Sequence, residues 1–552
     1  EIFNNIFKAI SANLKEVDRN IPQNHHEASL MVAIELHMRD IETELKNKIK
    51  NNNKASSKFH EESYSEKVIE SIGTILRYFE YKKISTDKMP KNINATYVDI
   101  SIDYINLSQI WILLKELVDV WAVSDVSIIK ENDNIDFDTK NNTTLERLCA
   151  QQLYNDISNS IQFKHLITKE LNVKNKLLAL LLNRYKLYQM QKIDNDFLNN
   201  ILFIGENSIT ESSIPLKYFI RAYNCINIEC NKYLQKTSNI KIVRTLKDVC
   251  LVKDYKYWIG KFIKSGIPNN FVHEIFRLLT YSNSRDLLDC PFYKIGQLYL
   301  IIPSIGKKIN ASKSILSNLN HRNINISYKG KFFEDHLISI IKDTKCKYTS
   351  FKKKVNNEDY ECDLIFEIDG NVFFVEAKNT SPISCFRDYD KNIQTLKDAC
   401  NQITRVSNYI TKFESLTKML GIPEVKSIQN LIISSIPIGR NFKIGDVMIT
   451  DEIHFAGYFK RKAPMLYHIN SVDKKIYAYK LYSEYYSGEL SKKQFLDLLN
   501  LSPLYKSFEK RRIGINQYCN EKYKFCTEFY VIDVDSFTIS NNSNDLSLNK
   551  YV

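Results

Sequence analysis

Apolar residues recur every three or four positions through most of the first 285 residues of the chain, the spacing that puts them on one helix face. Two polar stretches interrupt this pattern, and they predict a loop or linker at Lys50–Lys58 and a break at Glu131–Asn142. No repeat of fixed length is present, so a helical solenoid would have to be degenerate. The predicted helices span Ala28–Lys48, Tyr64–Tyr81, Leu107–Val123, Thr144–Gln191 and Leu216–Leu234.

From about residue 286 the pattern changes to short apolar runs bounded by turn residues, with helical stretches between them. This alternation is typical of an α/β domain with a strand-built centre. The predicted helices are Ser312–Leu319, Lys331–Lys342 and Lys391–Phe413. The predicted strands are Pro291–Lys294, Gln297–Pro303, Tyr348–Val355, Glu361–Ile368, Val372–Ala377, Leu431–Ile436 and Val447–Tyr458.

After about residue 460 the chain has strand patterns at Ile476–Leu481 and Phe529–Val534, a capped helix from Ser491 to Leu499, and a polar end, Asn541–Asn549, expected to fray. We therefore predict three domains. Residues 1–285 form a mostly helical domain, residues 286–460 form an α/β domain, and residues 461–552 form an α+β extension packed on it.

The segment from Asp363 to Lys378 contains a predicted β-hairpin whose register follows from its turn. Asp369-Gly370 stands between two apolar runs, and a two-residue turn of this kind needs positive φ at both central positions. Counting back from the turn, one residue on each strand, places Asp363 opposite Glu376. Lys378 follows Glu376 by two residues, so it is expected on the same face as both acids.

Two opposed carboxylates destabilise a sheet unless something neutralises their charge. A divalent cation would do so, and oxygen ligands at a site open to solvent suit Mg²⁺ or Mn²⁺. An ammonium group beside that metal would orient the attacking water and stabilise charge on a phosphate. Asp363 and Glu376 are therefore predicted metal ligands, and Lys378 is a predicted catalytic residue.

The alternative is that Asp363, Glu376 and Lys378 are solvated residues on the wet face of an ordinary hairpin. The strands Leu364–Ile368 and Val372–Val375 argue against it, because both are apolar on both faces. Such strands are expected in a sheet that is covered on both sides.

Asp363 followed by Glu376-Ala377-Lys378 at the end of the next strand resembles the motif of the PD-(D/E)xK nuclease superfamily. Cys362 stands in place of the proline of the name, a position that varies in the family. The resemblance implies a restriction-endonuclease-like core, in which a helix, a three-stranded meander, a second helix and a further strand follow one another over roughly residues 331–458. It also implies metal-dependent hydrolysis of DNA, with RNA not excluded.

The family often carries a glutamate on the first core helix, and Glu334 corresponds to it. Glu334, Ile338 and Ile341 have helical spacing, so the carboxylate is expected on or beside the apolar stripe that faces the sheet. A carboxylate there needs a partner, and a metal ion or its water would serve. Glu334 is thus a third predicted ligand; the alternative is a helix N-terminal glutamate that interacts with the helix dipole.

Gln402 flanks the apolar stripe of the predicted helix Lys391–Phe413 and is predicted to reach the site. Related nucleases have a polar residue near the metal on this helix. A surface position for Gln402 stays equally open, and Arg405 carries less weight. No histidine is assigned a role, because the histidines lack metal-ligand spacing.

The composition is basic, because the chain has 77 Lys and Arg residues and 64 Asp and Glu residues, which gives a net charge of +13. This favours an anionic partner such as nucleic acid. No stretch reaches the roughly 20 apolar residues that a membrane helix needs. Neither a P-loop nor a dinucleotide-binding glycine motif is present, so any energy-dependent step would need a partner protein.

The 11 cysteines form no CxxC pair, and Cys225 and Cys230 lack a second pair to complete a zinc site. Reduced, mostly buried thiols are expected, and a disulfide framework is not. Residues Glu1–Ile10 lack a secretion signature. A cytoplasmic protein is therefore predicted.

We thus predict a Mg²⁺- or Mn²⁺-dependent endonuclease domain joined to a helical domain that senses a trigger, binds nucleic acid or a protein partner, or self-associates. This combination resembles effectors of bacterial anti-phage defence and restriction systems. The non-enzyme alternative is a nucleic-acid-binding or assembly protein that keeps a degenerate nuclease fold as a scaffold.

Overall fold

The structure of the 552-residue chain is a computed structural model. It describes residues 1–52, 56–84, 89–131, 134–155, 192, 194–196, 198–200, 202–205, 208–211, 213–238, 242–282, 284–326, 329–383, 385–469, 476–511, 513–532 and 550–551. The described residues form two compact units. The first comes from Glu1–Val118, Lys164–Leu198 and Glu206–Ser327, and the second from Asp119–Phe163, Asn199–Gly205 and Tyr328–Val552.

The first unit is mostly helical, as the three- and four-residue apolar spacing predicts. Large aromatic side chains fill its core, including the fully buried Trp258, Tyr223 and Phe292. Its strands β3 (Leu251–Asp254), β4 (Tyr293–Ile295) and β5 (Leu298–Ile301) form an antiparallel sheet in the order β3-β5-β4. The named helices are α1 (Ile2–Asn20), α2 (His26–Asn52), α3 (Ser56–Lys82), α4 (Ala95–Val123, ending in the second unit), α5 (Leu216–Thr237), α6 (Leu246–Val249), α7 (Tyr255–Lys264), α8 (Asn269–Leu278), α9 (Pro303–Gly306) and α10 (Ala311–His321).

The second unit is built around a six-stranded mixed sheet in the order β10-β11-β9-β8-β7-β6. Strands β6, β7 and β8 form an antiparallel meander, whereas β8, β9 and β11 run parallel. A long helix, α12, makes the crossover between β8 and β9, the connection that parallel neighbours need. The elements are α11 (Lys329–Lys342), β6 (Tyr348–Val355), β7 (Glu358–Ile368), β8 (Asn371–Lys378), α12 (Phe386–Phe413), α13 (Leu416–Leu420), β9 (Ser427–Ser434), β10 (Phe442–Ile444), β11 (Val447–Asp451) and α14 (Glu452–Phe459).

Helices cover both faces of this sheet, as the doubly apolar strands predict. On one face, Phe366 and Val375 pack against Phe333 and Leu337 of α11 and against the helices that follow β11. On the other face, Ile365 and Phe374 pack against the apolar stripe of α12, which includes Leu396 and Ile403. In general terms, the expected helical N-terminal region and α/β arrangement are confirmed.

Smaller sheets complete the second unit. Strands β1 (Ser127–Glu131), β2 (Asn134–Asp138), β14 (Ile513–Asn520) and β15 (Phe525–Ile532) form a sheet in the order β1-β2-β15-β14. Strands β12 (Met465–Ile469), β13 (Ile476–Lys480) and β16 (Lys550–Tyr551) form another. Between β13 and β14 the chain forms a 3-10 helix at Ser483–Tyr486 and the helices α15 (Lys492–Leu501) and α16 (Pro503–Arg511).

Several sequence predictions need correction. The strand predicted over Val447–Tyr458 ends at Asp451, and a helix follows it. The polar stretch Glu131–Asn142 contains β2. Residues 142–155 are helical, whereas most of the predicted helix Thr144–Gln191 and the whole of Asn541–Asn549 lie outside the described residues.

Glu206–Ser327 packs with the first unit and Tyr328–Val552 with the second. The expectation of reduced thiols is wrong at one place, where Cys519 and Cys526 form a disulfide between β14 and β15. These residues face each other in the strand register. The other nine cysteines are free thiols, including Cys225 and Cys230. Among the described helices, none is both long and apolar enough to cross a membrane.

Candidate metal centre

The turn of the β7–β8 hairpin has the geometry that its sequence predicts. Asp369 and Gly370 both have positive φ, at 54° and 79°. The register then runs from Ile368 opposite Asn371 to Leu364 opposite Val375. Two strongly apolar strands are thereby held in a single register up to the residues that carry the acidic side chains.

Asp363 lies beyond the last regular pair of this register, at a β-bulge. Thr349 of β6 pairs with Ile365, and Phe351 pairs with Cys362, so two residues of β7 oppose one residue of β6. A bulge of this kind redirects a side chain out of the strand alternation. The Asp363 carboxylate reaches across to β8, where its Oδ2 accepts a hydrogen bond of 2.7 Å from the backbone N–H of Ala377.

Glu376, Lys378 and Gln402 are in direct contact on the face of the sheet that α12 covers. Lys378 Nζ lies 2.6 Å from Glu376 Oε1 and donates a second hydrogen bond of 3.2 Å to Gln402 Oε1. The Glu376 side chain is only 4% exposed, whereas that of Lys378 is 25% exposed. Gln402 therefore points into the site, and its carbonyl oxygen helps to hold the ammonium group beside the carboxylate.

The two acids at the end of the hairpin are electrostatically strained. Burial and the neighbouring charge of Glu376 raise the pKa of Asp363 to about 7, against the opposing effect of the Ala377 hydrogen bond. Burial also raises the pKa of Glu376, although the charge of Lys378 offsets part of this effect. Both pKa values are raised further by Glu334. One lysine therefore does not neutralise the negative charge collected here.

Glu334 approaches the site from the helix that covers the opposite face of the sheet. The Glu334 side chain is only partly buried. It is 22% exposed and forms a 3.1 Å ion pair with Lys331. Phe333 and Leu337 are the residues of this turn that enter the core. The five predicted site residues thus surround one end of the β7–β8 hairpin, with Glu334 acting on the acids through its charge and not through a contact.

No protein-family model, curated protein sequence or solved structure matches this chain.

The fit of the site to a metal ion rests on an oxygen atom without a donor. Glu376 Oε2 is buried and has no hydrogen-bond partner among the described residues. A buried, unpartnered carboxylate oxygen is costly. Together with the raised pKa of Asp363, it marks a place where a small cation would satisfy both acids.

The site does not contain a complete set of protein ligands. Within the described parts of the chain, no three His, Cys, Asp or Glu side chains converge closely enough to form a metal-ligating group. Mg²⁺ commonly uses only one or two carboxylates, with waters and substrate phosphate as its other ligands. Asp363 and Glu376 suit that mode of binding, and Glu334 suits an outer position that acts through water.

Two charged residues at the rim of the site were not predicted from the sequence. Glu361 contributes to the raised pKa of Glu376. Lys352 binds both oxygens of Glu361, at 2.9 and 2.8 Å. Their pairing across β6 and β7 depends on the same bulged register as Asp363. A search restricted to the motif misses them, although alternation along β7 would have put Glu361 at the site.

A distant segment, Leu202–Gly205, also packs against the site. Phe203 is buried in the sheet core, with ring centroids 5.0 Å from Phe333 and 4.5 Å from His336. Asn379, which follows Lys378, donates to the carbonyl oxygens of Leu202 and Phe203 at 3.2 and 3.3 Å. This segment therefore contacts the residue after Lys378 and the residue before Glu334. Its apolar sequence alone does not reveal that position.

The remaining candidates lie outside the metal centre or serve the fold. His336 Nε2 lies 2.9 Å from Glu452 Oε1, and His454 pairs with Asp451 inside the core. Arg405 forms an ion pair with Glu358 near the far end of the hairpin formed by β6 and β7. None of these three contacts involves a predicted metal ligand.

Proposed function

We propose that this chain is a metal-dependent nuclease of the PD-(D/E)xK type that hydrolyses phosphodiester bonds of DNA. The observation that carries the proposal is the contact of Glu376, Lys378 and Gln402 beside Asp363, at the end of a strand pair in a mixed sheet. The order of α11, the β6–β8 meander, α12 and β9 agrees with the core that the resemblance implies.

In this proposal, Asp363 and Glu376 hold Mg²⁺ or Mn²⁺, and Glu334 supports its water shell. When bound, the metal lowers the pKa of a coordinated water and neutralises charge on the scissile phosphate. The buried Glu376 Oε2 accepts no hydrogen bond from the described residues, so it is available as a metal ligand. The carboxylate of Glu334 is partly exposed, so it can leave its ion pair with Lys331 and bind water instead.

Lys378 is the proposed catalytic cation. Its ammonium group has two acceptors, Glu376 Oε1 and Gln402 Oε1, and keeps its third N–H for a water or a phosphate oxygen. Gln402 is a positioning residue, because it acts on the reaction only by orienting Lys378. The proposed attack is by a water that Lys378 orients, and charge that develops on the phosphate is stabilised by the same ammonium group.

For the biological setting, we propose a cytoplasmic effector of defence against phage or foreign DNA. The basis is the combination of a nuclease unit with a helical unit of comparable size, together with a net charge of +13. In this setting the helical unit binds a protein partner, or a second copy of the chain, and controls when the nuclease acts.

Cleavage assays separate the nuclease from the non-catalytic scaffold. Purified protein is incubated with supercoiled plasmid, linear duplex, single-stranded DNA and RNA, with Mg²⁺, Mn²⁺ or EDTA. Wild-type protein should cut DNA with metal only, and Asp363→Asn and Lys378→Ala should each lower the rate about 100-fold or more. Asp359→Asn and Lys354→Ala are matched controls on the β6–β7 hairpin, both exposed, and should retain activity.

The scaffold alternative expects a different pattern. It is supported if wild-type protein binds DNA but shows no metal-dependent cleavage under any condition, and if Asp363→Asn retains full activity in a cellular assay. Preferential cleavage of RNA would keep the reaction class and change the substrate.

A further inference from the structure

The small sheet of the first unit carries a row of charged and aromatic side chains on one face. Lys253 of β3 pairs directly with Tyr299 of β5, and Tyr299 pairs directly with Lys294 of β4. Directly paired residues project to the same face of a sheet. Both lysines are exposed, so this row places one tyrosine between two basic residues. The Lys253 ammonium lies over the Tyr257 ring, 5.0 Å from its centroid.

Two further rings extend the row at the start of α7 and on α8. Tyr255 is 37% exposed, and its ring lies 6.3 Å from that of Tyr299. The Tyr255 ring also stacks on the exposed His273, with an interplanar angle of 23°, and its hydroxyl is hydrogen-bonded to His273 Nδ1. Beneath them, Phe276 packs edge-on against both tyrosines, at 5.1 and 4.8 Å. The rings are therefore held in place by the core.

The lysines in this row are not ion-paired, although the exposed Asp254 follows Lys253 in the chain. Lys253 and Lys294 form no ion pair among the described residues, whereas nearby Lys261 pairs with Glu229 at 3.0 Å. The carboxylate of Asp254 is engaged in capping α7, where it accepts a 2.8 Å hydrogen bond from the backbone of Tyr257. We call the set Lys253, Tyr255, His273, Lys294 and Tyr299 the aromatic-basic platform.

We infer that the aromatic-basic platform binds single-stranded nucleic acid. Exposed ammonium groups that are not ion-paired attract phosphates and release counterions from the strand. Rings that are exposed or half-exposed and held in place by the core stack on unpaired bases without regard to sequence. A duplex would offer the lysines its phosphates but would keep its bases away from the rings. An acidic protein surface would likewise satisfy the lysines and leave the rings without a partner.

This inference goes beyond the proposed cleavage reaction and does not depend on it, because the platform belongs to the first unit and the metal centre to the second. In a nuclease it would add a binding site for unpaired strand to the catalytic site. In a non-catalytic scaffold it would be the main nucleic-acid contact.

Fluorescence anisotropy on the full chain tests the inference, with labelled dT20 and a 20-base-pair duplex as probes and with EDTA present to prevent cleavage. Wild-type protein should bind dT20 more tightly than the duplex. Lys253→Glu/Lys294→Glu should weaken dT20 binding about tenfold or more. The slope of log Kd against the logarithm of the salt concentration should become shallower by about 1.4. Tyr255→Ala should weaken it at least about fivefold.

Controls separate this result from a general charge effect and from misfolding. Lys91→Glu/Lys236→Glu changes net charge equally at two exposed lysines outside the platform and should leave dT20 binding near the wild-type value. Tyr255→Phe keeps the ring and should bind like wild type. EDTA prevents cleavage in every sample, which keeps this test distinct from the cleavage test.

Three outcomes would overturn the inference. The platform is not a nucleic-acid site if the Lys253→Glu/Lys294→Glu protein, folded by circular dichroism, binds dT20 as tightly as its charge-matched control. A preference for duplex over dT20 rejects the single-stranded class. Binding of polyglutamate as tight as dT20, and lost in the same variants, assigns the platform to acidic proteins instead.

Discussion

At the scale of single residues, Glu376 lacks a hydrogen-bond donor to one oxygen, whereas Asp363 has a donor but an uncompensated charge. Glu376 is almost fully buried and ion-paired with Lys378, yet its Oε2 has no donor among the described residues. Asp363 has a backbone donor but a pKa raised to about 7 by burial and by Glu376. Without a cation, a proton is the cheapest way to relieve the Asp363 charge, so the stability of the metal-free protein should depend on pH.

Asp363→Asn should stabilise the metal-free protein at pH 8. The folded-state pKa of Asp363, about 7, lies above the value of about 3.9 in an unfolded chain. The folded protein therefore binds the extra proton between these values, and stability falls as pH rises from about 4 through 7. Asparagine can still accept the Ala377 hydrogen bond but carries no charge. We expect its melting temperature at pH 8 to exceed that of wild type by roughly 2–4 °C.

Thermal melts at pH 5, 6, 7 and 8 in EDTA check this expectation. The difference between Asp363→Asn and wild type should shrink steadily toward pH 5. Millimolar Mn²⁺ at pH 8 should raise the melting temperature of wild type and not of the variant, because only wild type gains a ligand site. A variant less stable than wild type at pH 8 in EDTA would show that the two acids are not in repulsion.

The register of the two strands that lead to the site acids could be predicted because it depends on local features. A two-residue Asp369-Gly370 turn and two uninterrupted apolar strands leave a single register, which the structure confirms as far as Leu364 and Val375. The bulge at Asp363 could not be predicted in this way, since it depends on how β6 pairs with β7. The segment containing Phe203 was also missed, because an apolar run cannot specify a contact with residues more than one hundred positions away.

At the scale of elements, the end of β11 shows how one side chain decides between strand and helix. Apolar residues stand on both sides of Asp451-Glu452 between Val447 and Tyr458, and the sequence alone predicts a single strand. Asp451 ends it, since its Oδ1 accepts the backbone N–H of His454 at 3.2 Å and caps α14. The same oxygen lies 2.7 Å from His454 Nδ1, and Oδ2 accepts from the backbone of Ile438.

Asp451→Ala should be severely destabilising. Burial favours the neutral acid, but the charge of His454 and the three hydrogen bonds outweigh it, so the pKa of Asp451 is lowered. A depressed carboxyl pKa means that the pair contributes stability above about pH 4 and loses it only in more acidic solution. Removing one partner of a buried pair typically costs about 3–5 kcal/mol. Urea unfolding at pH 7 measures this loss.

Two variants calibrate the effect. Ser491 is an ordinary N-cap of α15, and its hydroxyl accepts a hydrogen bond from the backbone N–H of Gln494. Ser491→Ala should lower the free energy of unfolding by only about 1 kcal/mol. Asp451→Asn keeps a capping oxygen and removes the charge, so it should fall between the two. If Asp451→Ala costs no more than Ser491→Ala, then the contact with His454 contributes nothing beyond the cap.

At the scale of the whole molecule, the second unit is assembled from three separate stretches of chain. Its sheet of β1, β2, β15 and β14 joins residues near 130 to residues near 525 through parallel pairing of β2 with β15. Leu145, Cys149 and Leu153 pack with Tyr505 and Phe508 in a separate apolar cluster. Composition along the chain cannot reveal such an arrangement, since each stretch has an unremarkable pattern by itself.

The fragment 328–552 should therefore fail to fold cooperatively on its own, although it contains the whole six-stranded sheet. Without Phe203, the core beside Phe333 loses a fully buried aromatic side chain, a change that typically costs about 3–5 kcal/mol. Without β2, strand β15 exposes a pairing edge. Near-UV circular dichroism with heating should show a broad or absent transition, together with low solubility.

Co-expression of residues 119–205 as a separate chain should restore folding, because that peptide returns β1, β2, Leu145, Leu153 and Phe203 to the fragment. The two chains should then co-purify and melt in one transition. The same peptide with Phe203→Ala should co-purify but melt at a lower temperature, since the β-sheet contact is kept while the core contact is lost. If the fragment 328–552 melts as sharply alone as with the peptide, the segments 119–163 and 199–205 are accessories to a domain that is complete without them.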